Sequence, residues 1–550
     1  MNMRKNFLRI FVLVFLFSSP LFLMSYDDTK DFETAKNLDI FYSLFSEISN
    51  SYVDELAPGD LMSRTINEML KTLDPYTNYI PESDVERYTI MSKGEYGGIG
   101  ASVTKRDNAL MITDIQKNSP AQAAGIILGD RIVEIDGHSI INTPYDEAMQ
   151  LLQGQMGTTM KLGIIRNGER KNFSIERKNI KINSVPYYGM LTPEIGYIKL
   201  NEFSQLCSVD VLKACKKLIG DDKAKGLVLD LRGNPGGLLI EAINIVNIFI
   251  PAGERIVFTK GQNKTENSKF STQNEPFAPD IPLVVLVNDR SASAAEIVSG
   301  ALQDLDRAVV IGNQTFGKGL VQTRKELAHN SLLKITTSKY YIPSGRCIQK
   351  LDYTHRDAEG NPTIVPDSLQ KTFYTRNHRP VKEGGGIIPD VTISKDSSSA
   401  LLQDLLSEFV IFDFINTQYS QADTTSIKPE TYVFTDEDYQ KFITFCERTG
   451  YTFHSESEKL LASFAKAADK EHLDISSQVS VLQKNIDKQQ ADLFQNDKAQ
   501  ISKEIESLVI RNLYTEEGQC KYLTRNDKFI SEAKKYLTDS KLYNSVLKGK

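Results

Sequence analysis

Cysteine is scarce in this chain of 550 residues, and neither sign of charge is in clear excess. The five cysteines are odd in number and far apart in the sequence, which excludes a disulfide framework and the close spacing of a zinc site. We therefore expect no metal, and we interpret each cysteine as a buried apolar side chain. They are Cys207, Cys215, Cys347, Cys446 and Cys520. The net charge is only −6, so no basic field dominates and nucleic acid is not an expected partner.

Internal repeats and long low-complexity tracts are also absent, which excludes a repeat architecture. The composition, 40% hydrophobic and 25% charged, is ordinary for a globular protein. The length is too great for a single hydrophobic core, so three or four domains are expected.

The N-terminus has the pattern of a segment that directs export. Arg4, Lys5 and Arg9 flank an apolar run over residues 10–17, as in a secretory signal. The small-x-small cleavage pattern is poor, and residues 7–24 approach the length that spans a bilayer, so an uncleaved membrane anchor is the alternative. No cysteine lies near the end of the run, so a lipid-modified cysteine is not expected. We expect the rest of the chain in the periplasm or at the outer face of the cytoplasmic membrane of a bacterial envelope.

The pattern of apolar residues changes several times along the chain and predicts five regions. They are a signal peptide or anchor over 1–25, a helical region over 26–92, a β-rich domain over 93–182, an α/β core over 183–396 and a helical region over 397–550. Within the core we predict strands over 226–231 and 283–287 and a helix over 294–305. In the last region we predict single helices over 401–414 and 478–508.

One serine of the core stands where a helix begins. The segment 291–296, with the sequence SASAAE, precedes apolar residues at helical spacing and places Ser293 near the helix N-terminus. The simplest interpretation is that Ser293 is a helix N-cap. A helix N-terminus also offers free N–H groups to a developing oxyanion, and the small neighbours would let a substrate approach a nucleophile.

A lysine follows this serine at a separation of 25 residues. Lys318 lies between two glycines in the segment 315–319, TFGKG, and would ordinarily be a solvated loop residue. To accept a proton it must be neutral, which requires burial or a neighbouring positive charge. Gln322, four residues on, could orient the amine by a hydrogen bond.

A glycine-rich turn precedes both segments. Residues 226–237, GLVLDLRGNPGG, predict a buried strand, a turn and the start of a helix. A phosphate-binding loop is disfavoured, because no Walker lysine follows and the GxGxxG spacing is absent. The N–H group of Gly236 or Gly237 is well suited to form half of an oxyanion hole.

The β-rich region resembles a PDZ domain, of the circularly permuted kind found in bacterial proteases. The resemblance rests on GGIG at 97–100, SPA at 119–121 and GDRIVEIDG at 129–137. The loop formed by Gly97, Gly98, Ile99 and Gly100 could point successive N–H groups at the terminal carboxylate of a peptide. A folded spacer without a ligand is the alternative.

Together, the serine, lysine and glycine-rich segments resemble the C-terminal processing peptidases, the tail-specific serine proteases of family S41 that carry a PDZ domain. The resemblance covers residues 41–393, including LDPYT at 73–77, YYIPSGR at 340–346 and GIIPDV at 386–391. It implies an α/β multidomain fold. The implied Ser-Lys protease core is crotonase/ClpP-like, the PDZ-like β-domain is inserted in it or precedes it, and the N- and C-terminal regions are helical.

The resemblance also implies roles for individual residues. Ser293 would be the nucleophile, Lys318 the general base and Gln322 the residue that positions the lysine. The backbone N–H groups of Ala294 and of Gly236 or Gly237 would form the oxyanion hole. The separation of 25 from Lys318 favours Ser293 over Ser291. Ala295 departs from the family, in which a serine is common at this position.

The implied function is a serine endopeptidase that cleaves proteins near free, apolar C-termini and needs no cofactor. Further expectations are a homo-oligomer formed through the C-terminal helices and an activating adaptor. Three alternatives remain: a non-catalytic scaffold that binds protein tails, an acyl-CoA-handling hydratase of similar fold, and a serine–histidine enzyme. The six histidines each look like surface residues, and the one closest after Lys318, His329, falls in a predicted hairpin turn.

Overall fold

The computed structural model of the protein describes residues 28–85, 88, 95–181, 183–394, 397–419, 426–490 and 492–549. It divides into two compact units, the first ending at Pro81 and the second beginning at Glu82. The predicted signal peptide or anchor lies outside the described residues. Among the residues that are described, no helix combines the length and the apolar character needed to cross a bilayer.

The first unit is helical and ends in a short strand. It contains α1 (Asp28–Ser51), α2 (Pro58–Lys71) and β1 (Asn78–Ile80). A turn separates α2 from β1, because one carboxylate oxygen of Asp74 accepts hydrogen bonds from the N–H groups of Tyr76 and Thr77, both at 2.8 Å. Asp is favoured in turns for this kind of local bond.

The second unit begins with the β-rich domain. Its elements are β2 (Glu95–Gly98), β3 (Ala101–Arg106), β4 (Ala109–Ile115), α3 (Pro120–Ala123), β5 (Arg131–Ile135), β6 (His138–Ser139), α4 (Tyr145–Leu152), β7 (Thr159–Arg166), β8 (Glu169–Glu176) and β9 (Lys178–Lys181). The main sheet has the order β3-β4-β5-β7-β8, with β6 paired to β5, while β2 pairs with β9. Apolar side chains from the sheet and α4 form one core between them.

A second sheet is the centre of the α/β core. Its six strands are β10 (Tyr187–Thr192), β11 (Ile195–Lys199), β12 (Gly226–Asp230), β15 (Leu283–Val287), β16 (Val309–Gly312) and β23 (Val391–Thr392), in the order β10-β11-β12-β15-β16-β23. Within this sheet, neighbouring strands pair in parallel from β11 through β12, β15 and β16 to β23, whereas β10 is antiparallel to β11. Every residue of β12 and β15 is buried, so the sheet must be covered on both faces.

Three helices that follow the strands cover the first face. They are α5 (Cys207–Cys215), which continues as a π-helical turn over Lys216–Asp221, α6 (Leu239–Asn247) and α7 (Ala294–Asp304). Their apolar side chains share one large core with the sheet. The predicted strands over 226–231 and 283–287 and the predicted helix over 294–305 are confirmed to within a residue at each end.

The last two helices of the chain cover the second face. Residues of α15 (Lys528–Thr538) and α16 (Ser540–Lys548) pack with the outward side chains of the central strands. The hydroxyl of Tyr543 on α16 accepts a hydrogen bond from the N–H group of Leu283 on β15 at 3.0 Å and lies 3.1 Å from its carbonyl oxygen. These two helices fall in the helical region predicted over 397–550, although the sequence did not give their individual bounds.

A third sheet lies beside α7. It contains β13 (Arg255–Gly261), β14 (Lys269–Ser271), β17 (Leu320–Glu326) and β18 (Leu332–Tyr341), in the order β14-β13-β18-β17. The antiparallel pairing of β17 with β18 confirms the hairpin turn predicted around His329. Two small hairpins follow, β19 (Leu351–Arg356) with β20 (Pro362–Ile364) and β21 (Thr372–Tyr374) with β22 (Pro380–Lys382).

The remaining C-terminal helices correct two predictions. The single helix predicted over 401–414 is wrong, because Phe409 adopts a φ of 59° and separates α8 (Ala400–Ser407) from α9 (Val410–Tyr419). The helix predicted over 478–508 is also wrong. After α10 (Asp436–Thr449) and α11 (Glu456–Lys470), the chain forms α12 (Ser476–Gln490), α13 (Leu493–Asn496) and α14 (Lys498–Leu523).

Two of these helices, α9 and α14, also form hydrogen bonds with the β-rich domain. Arg106 of β3 donates two hydrogen bonds of 2.8 Å to the carboxylate of Asp413 on α9. Arg511 of α14 donates one of 2.8 Å to Asp114 of β4. A bidentate pair fixes orientation as well as distance.

A buried ion pair anchors the far end of α7. The guanidinium of Arg346 lies 2.8 Å from the carboxylate of Asp304, and the exposed fractions of the two side chains are 1% and 0%. The same guanidinium donates a hydrogen bond to Gln303, and Asp304 accepts one from the N–H group of Ser344. The pair therefore joins the end of α7 to the loop that follows β18.

We predict that Asp304→Asn lowers the stability of the core by about 3–5 kcal/mol, because it leaves the Arg346 charge buried without a counter-charge. The matched control is Glu254→Gln. Glu254 pairs with Arg376 at 2.7 Å, but 36% and 48% of these side chains are exposed, so the loss should be below about 1 kcal/mol. Thermal unfolding measures both, and equal losses would contradict the prediction.

Candidate active site

Two turns meet at the carboxyl ends of the adjacent parallel strands β12 and β15. The N–H group of Ala292, after β15, donates to the carbonyl oxygen of Asn234, after β12, at 2.9 Å. The N–H group of Gly233 donates to the side-chain oxygen of Asn288 at 2.9 Å. Ligands of parallel sheets bind outside this edge, and the two stitched turns form one rigid floor there.

Ser293 lies at the end of the second turn, immediately before α7, in a strained backbone conformation. Its φ is 55° and its ψ is −115°, values that cost free energy in a residue other than glycine. Gly236 of the first turn lies against it, since a Cβ atom added there would be 2.7 Å from the Ser293 Cβ. Only glycine leaves room for this contact.

The neighbouring serine is occupied differently. Ser291 is fully buried, and its hydroxyl donates to the carbonyl oxygen of Leu231 at 2.8 Å and accepts from the N–H group of Asn288 at 2.9 Å. These bonds hold the two turns together, which leaves Ser293 as the serine of this segment that faces solvent-accessible space.

That space is a cleft of about 570 Å³, and the predicted base and its positioning residue also line it. Lys318 lies in the loop that leads into β17, and Gln322 lies on β17 itself. The side-chain amide of Gln322 donates to the hydroxyl of Thr336 on β18 at 3.1 Å. The structure thus brings Ser293, Lys318 and Gln322 to one cavity.

A buried carboxylate connects the serine and lysine segments. Glu296, in the first turn of α7, is 0% exposed. One of its oxygens accepts from the N–H groups of Ser293 at 2.8 Å and Lys318 at 2.9 Å. The other accepts from the hydroxyl of Thr315 at 2.6 Å and the N–H group of Gly317 at 2.7 Å. Burial raises the pKa of Glu296 to about 7, against the effect of these four hydrogen bonds.

A tyrosine connects the same two segments through their carbonyl groups. The hydroxyl of Tyr340 on β18 lies 3.2 Å from the carbonyl oxygen of Ser293 and also within hydrogen-bond distance of that of Lys318. Its own N–H group donates to the carbonyl oxygen of Gly319 at 2.9 Å. The ring is 2% exposed, so its position is set by packing.

The predicted oxyanion donors lie beside Ser293. Ala294 is the first residue of α7, where a helix has N–H groups without intrahelical acceptors. Gly236 and Gly237 line the same cleft. The N–H group of Gly236 donates to the side-chain oxygen of its neighbour Asn234 at 2.8 Å. The carbonyl oxygen of Gly236 accepts from Phe203 at 2.9 Å, which fixes the peptide that follows.

The rest of the cleft has an apolar wall and a charged rim. The apolar residues are Phe203, Leu238, Leu239, Ile297, Leu320 and Val321, and the charged ones are Glu202, Arg324 and Lys334. Burial raises the pKa of the Glu202 carboxyl above its usual value. Arg324 and Lys334 outnumber the single acid, so the cleft favours a negatively charged group on its ligand.

All six histidines lie within the described part of the chain, and all are exposed. None of them lines the cleft that holds Ser293. A base for this serine therefore has to come from another residue type, which disfavours the serine–histidine alternative.

The predicted peptide-binding loop of the β-rich domain is tightly packed. A Cβ atom on Gly97 would lie 2.1 Å from the carbonyl oxygen of Gly154, and one on Gly100 would lie 2.4 Å from the Ser119 Cβ. Ile99 is 4% exposed and belongs to the domain core with Leu152 of α4. The loop thus lies next to α4, where β-domains can receive an added strand.

The sequence predicts no role for Glu296 or Tyr340, although both lie in segments that carry the family motifs. The signal for Glu296 was present, since Ser293 followed three residues later by an acid is the pattern of a capping box. The contact of Tyr340 depends on how β18 folds over the loop at Lys318, and no local pattern predicts it.

Sequence profiles of known families match three parts of this chain. Peptidase family S41 matches residues 194–357, the PDZ domain matches residues 97–176, and the C-terminal helical domain of a probable PDZ-protease matches residues 401–537. These matches support an S41 peptidase fold with a PDZ domain and a helical C-terminal region.

Curated relatives give the same result. The carboxy-terminal-processing protease of Bartonella bacilliformis is 39% identical over 348 residues, covering 62% of this chain and 79% of the relative. A probable CtpA-like serine protease of Staphylococcus haemolyticus is 37% identical over 305 residues, covering 55% of this chain and 61% of the relative. Among solved structures, the photosystem II D1 C-terminal processing protease is 23% identical with a TM-score of 0.37, over 64% of this chain and 92% of that one.

The protein is therefore a serine-type peptidase with a PDZ domain. It belongs to peptidase family S41 and, within it, to the carboxy-terminal-processing proteases, which confirms the family predicted from the sequence. Its substrates are accordingly proteins or peptides.

The raised pKa of Glu296 predicts a pH-dependent stability. The folded protein holds this proton up to about pH 7, whereas the ordinary pKa of the group is 4.5. The stability that the group contributes is therefore complete below its unfolded pKa and is lost as the pH rises through this window. The loss is on the order of 3 kcal/mol, at 1.36 kcal/mol per pKa unit.

The comparison of wild type with Glu296→Gln tests this, because glutamine cannot ionise. Guanidinium denaturation between about pH 4 and pH 8 should show the stability difference moving in favour of the variant as the pH rises. Other titrating groups are common to both proteins and cancel. A difference that stays constant with pH would contradict the prediction.

Proposed function

We propose that the enzyme cleaves its substrates with a serine–lysine pair, in which Ser293 is the nucleophile and Lys318 the general base. The observation that supports this proposal most is that both residues line one cleft. Ser293 lies at the end of the turn after β15, and Lys318 lies in the loop before β17. The strained conformation of Ser293 is of the kind that proteins maintain at functional sites.

The reaction begins with Lys318 in its neutral form. Its amine takes the proton of the Ser293 hydroxyl as the oxygen attacks a peptide carbonyl carbon, and a tetrahedral oxyanion forms. The resulting ammonium returns the proton to the leaving amine, and an ester remains on Ser293. A water molecule that gives its proton to Lys318 then attacks this ester. The lysine returns that proton to the Ser293 oxygen as the ester bond breaks and the new C-terminus leaves. Gln322 limits the positions open to the amine.

The oxyanion is stabilised by backbone N–H groups, of which Ala294 supplies one. For the second donor, Gly237 is preferred over Gly236, because the N–H group of Gly236 already donates to Asn234. Such donors act without reorganisation when the charge develops, because the helix start and the glycine-rich turn hold them in place.

The PDZ domain recognises the substrate tail in this proposal. The loop of Gly97, Gly98, Ile99 and Gly100 receives the terminal carboxylate, and the edge beside α4 receives the extended chain. The apolar wall and cationic rim of the cleft suit an apolar segment that carries a negative charge. The core is assigned to the crotonase/ClpP-like α/β architecture, for which the parallel sheet covered on both faces is the support.

Two further expectations belong to this proposal. The basic and apolar start of the chain supports export to the cell envelope. The C-terminal helices leave side chains such as Leu460, Phe464 and Val481 more than half exposed, which supports association of copies, and an activating adaptor could use the same surface.

We predict that Ser293→Ala and Lys318→Ala each lower kcat by at least 10³-fold, since members of a catalytic unit cost about as much singly as together. The assay is cleavage of a peptide with a free apolar C-terminus, followed by mass spectrometry. The double variant should be no slower than the slower single variant.

Matched controls remove the same groups outside the pair. Ser299→Ala deletes a hydroxyl of α7 that bonds only within its own helix, to Ala295 and Glu296. Lys325→Ala deletes an exposed amine of β17 that pairs with Glu266. Both should keep nearly full activity, and near-normal activity of Lys318→Ala would refute the assigned base.

A separate prediction concerns the tail. Fluorescence anisotropy with the inactive Ser293→Ala protein should show a free-carboxylate peptide binding about 10–100-fold more tightly than its carboxamide, because hydrogen bonds to a charged group contribute about 1.5–3 kcal/mol. Gly97→Ala should remove this preference, because the added Cβ would lie 2.1 Å from the carbonyl oxygen of Gly154 and would force the loop to move. Equal binding of the two peptides would contradict tail recognition.

A further inference from the structure

Two side chains contact the polar backbone groups of both proposed catalytic residues. The N–H groups of Ser293 and Lys318 donate to one carboxylate oxygen of Glu296, at 2.8 and 2.9 Å. The carbonyl oxygens of the same two residues lie within hydrogen-bond distance of the hydroxyl of Tyr340. These shared contacts do not follow from closeness in the sequence, because Ser293 and Lys318 are 25 positions apart.

The two side chains come from different elements. Glu296 projects from the first turn of α7, and Tyr340 stands on β18 in the neighbouring sheet. The second oxygen of Glu296 extends the hold along the loop through Thr315 and Gly317. The Thr315 hydroxyl in turn accepts from the N–H group of Ile387 at 2.6 Å. The loop before β17 is thus tied to α7 from several sides.

Glu296 is a costly residue to place here. A buried carboxylate loses its hydration, and its partners in this structure are three backbone N–H groups and one hydroxyl rather than a cation. An apolar residue would fill the same volume without that penalty. What only a carboxylate supplies is an acceptor with enough lone pairs to bind donors from both segments at once.

We propose that Glu296 and Tyr340 form a clamp that positions the nucleophile and the base relative to each other. This inference rests on the proposed roles of Ser293 and Lys318. The clamp compensates the strain at Ser293, since a φ of 55° persists only where surrounding contacts determine it. It also sets the separation of the two side chains, and an error of about 1 Å in such a distance can cost about 100-fold in rate.

Glu296 and Tyr340 are therefore positioning residues, and their loss should affect turnover more than binding. Glu296 is fully buried and does not line the cleft, so replacing it with glutamine leaves the substrate surface intact. A residue that only stabilises the fold would instead lower the folded fraction and leave kcat per folded molecule unchanged.

The decisive variant is Tyr340→Phe, which keeps the buried ring and removes only the hydroxyl. Glu296→Gln is its companion, because the amide places an N–H group where one carboxylate oxygen accepted hydrogen bonds. With the free-tail peptide we expect kcat per folded molecule to fall about 10–100-fold in each variant. For Glu296→Gln we expect KM within about threefold of wild type.

Matched controls make the same chemical changes nearby. Tyr341→Phe removes the hydroxyl of the next residue, whose ring stacks on Phe258 and does not line the cleft. Glu241→Gln changes another buried carboxylate, which accepts from the N–H group of Ser208 on α5. Both should retain kcat within about twofold of wild type.

The double variant Tyr340→Phe with Glu296→Gln tests the shared action. If both side chains hold the same two segments, the combined loss in kcat will be smaller than the product of the single losses. Purely multiplicative losses, unchanged kcat in Tyr340→Phe, or activity lost only in proportion to unfolded protein would each overturn the clamp. The Ser293→Ala and Lys318→Ala proteins run in the same assay, and if they stay active the proposed function fails instead.

Discussion

The arrangement of this protein depends on one constraint, a parallel sheet whose central strands are apolar on both sides. Strands β12 and β15 expose nothing to solvent, so the sheet is stable only with a layer of helices on each face. One layer consists of the helices α5, α6 and α7, because the crossovers from β11 through β12 and β15 to β16 each contain a helix. The other layer has to come from elsewhere, and the chain returns from its far end as α15 and α16 to provide it.

The same constraint determines where the candidate active site lies. Parallel neighbours end at the same edge, so the turns after β12 and β15 meet, and each then enters a helix whose first residue lines the cleft. The glycine-rich turn brings Gly236 against Ser293 at a distance that excludes any other residue. The lysine arrives separately, on the loop into β17. The parallel sheet fixes the position of Ser293 but not that of Lys318. The contacts of Glu296 and Tyr340 join the segments that carry these two residues.

Local sequence patterns are sufficient to predict those elements that depend on neighbouring residues in the sequence. The apolar runs of β12 and β15, the helix start at Ala294 and the turn around His329 are all set by neighbours in sequence, and the sequence predicts them to within a residue or so. The failures have a common physical origin. Phe409 interrupts a helical pattern with a positive φ that no local sequence pattern signals. The bounds and the partner of α15 and α16 depend on strands that lie far earlier in the chain.

The site follows the same division. Ser293, Lys318 and the glycine-rich turn could be selected as candidates from the sequence, because each lies in a short segment of unusual composition, and the structure places them at one cleft. Ser291, two residues earlier in the same segment, could be set aside only by spacing, whereas its buried bond to Leu231 gives the physical reason. Tyr340 could not be found at all, because its contacts with the carbonyl groups of Ser293 and Lys318 exist only after two sheets have packed.

The outer layer of helices contacts the turn of the candidate active site as well as the sheet. Burial alone would raise the pKa of Asp230 at the end of β12, but the neighbouring charges of Arg232 and Lys199 hold it below its usual value. Arg232 donates at 2.6 Å to Asp230 and at 2.7 Å to Asp527, which begins α15. Its guanidinium also lies over the ring of Phe529 at 5.0 Å. Because Arg232 starts the turn that presents the two glycines to Ser293, the last helices of the chain are part of the support of the site.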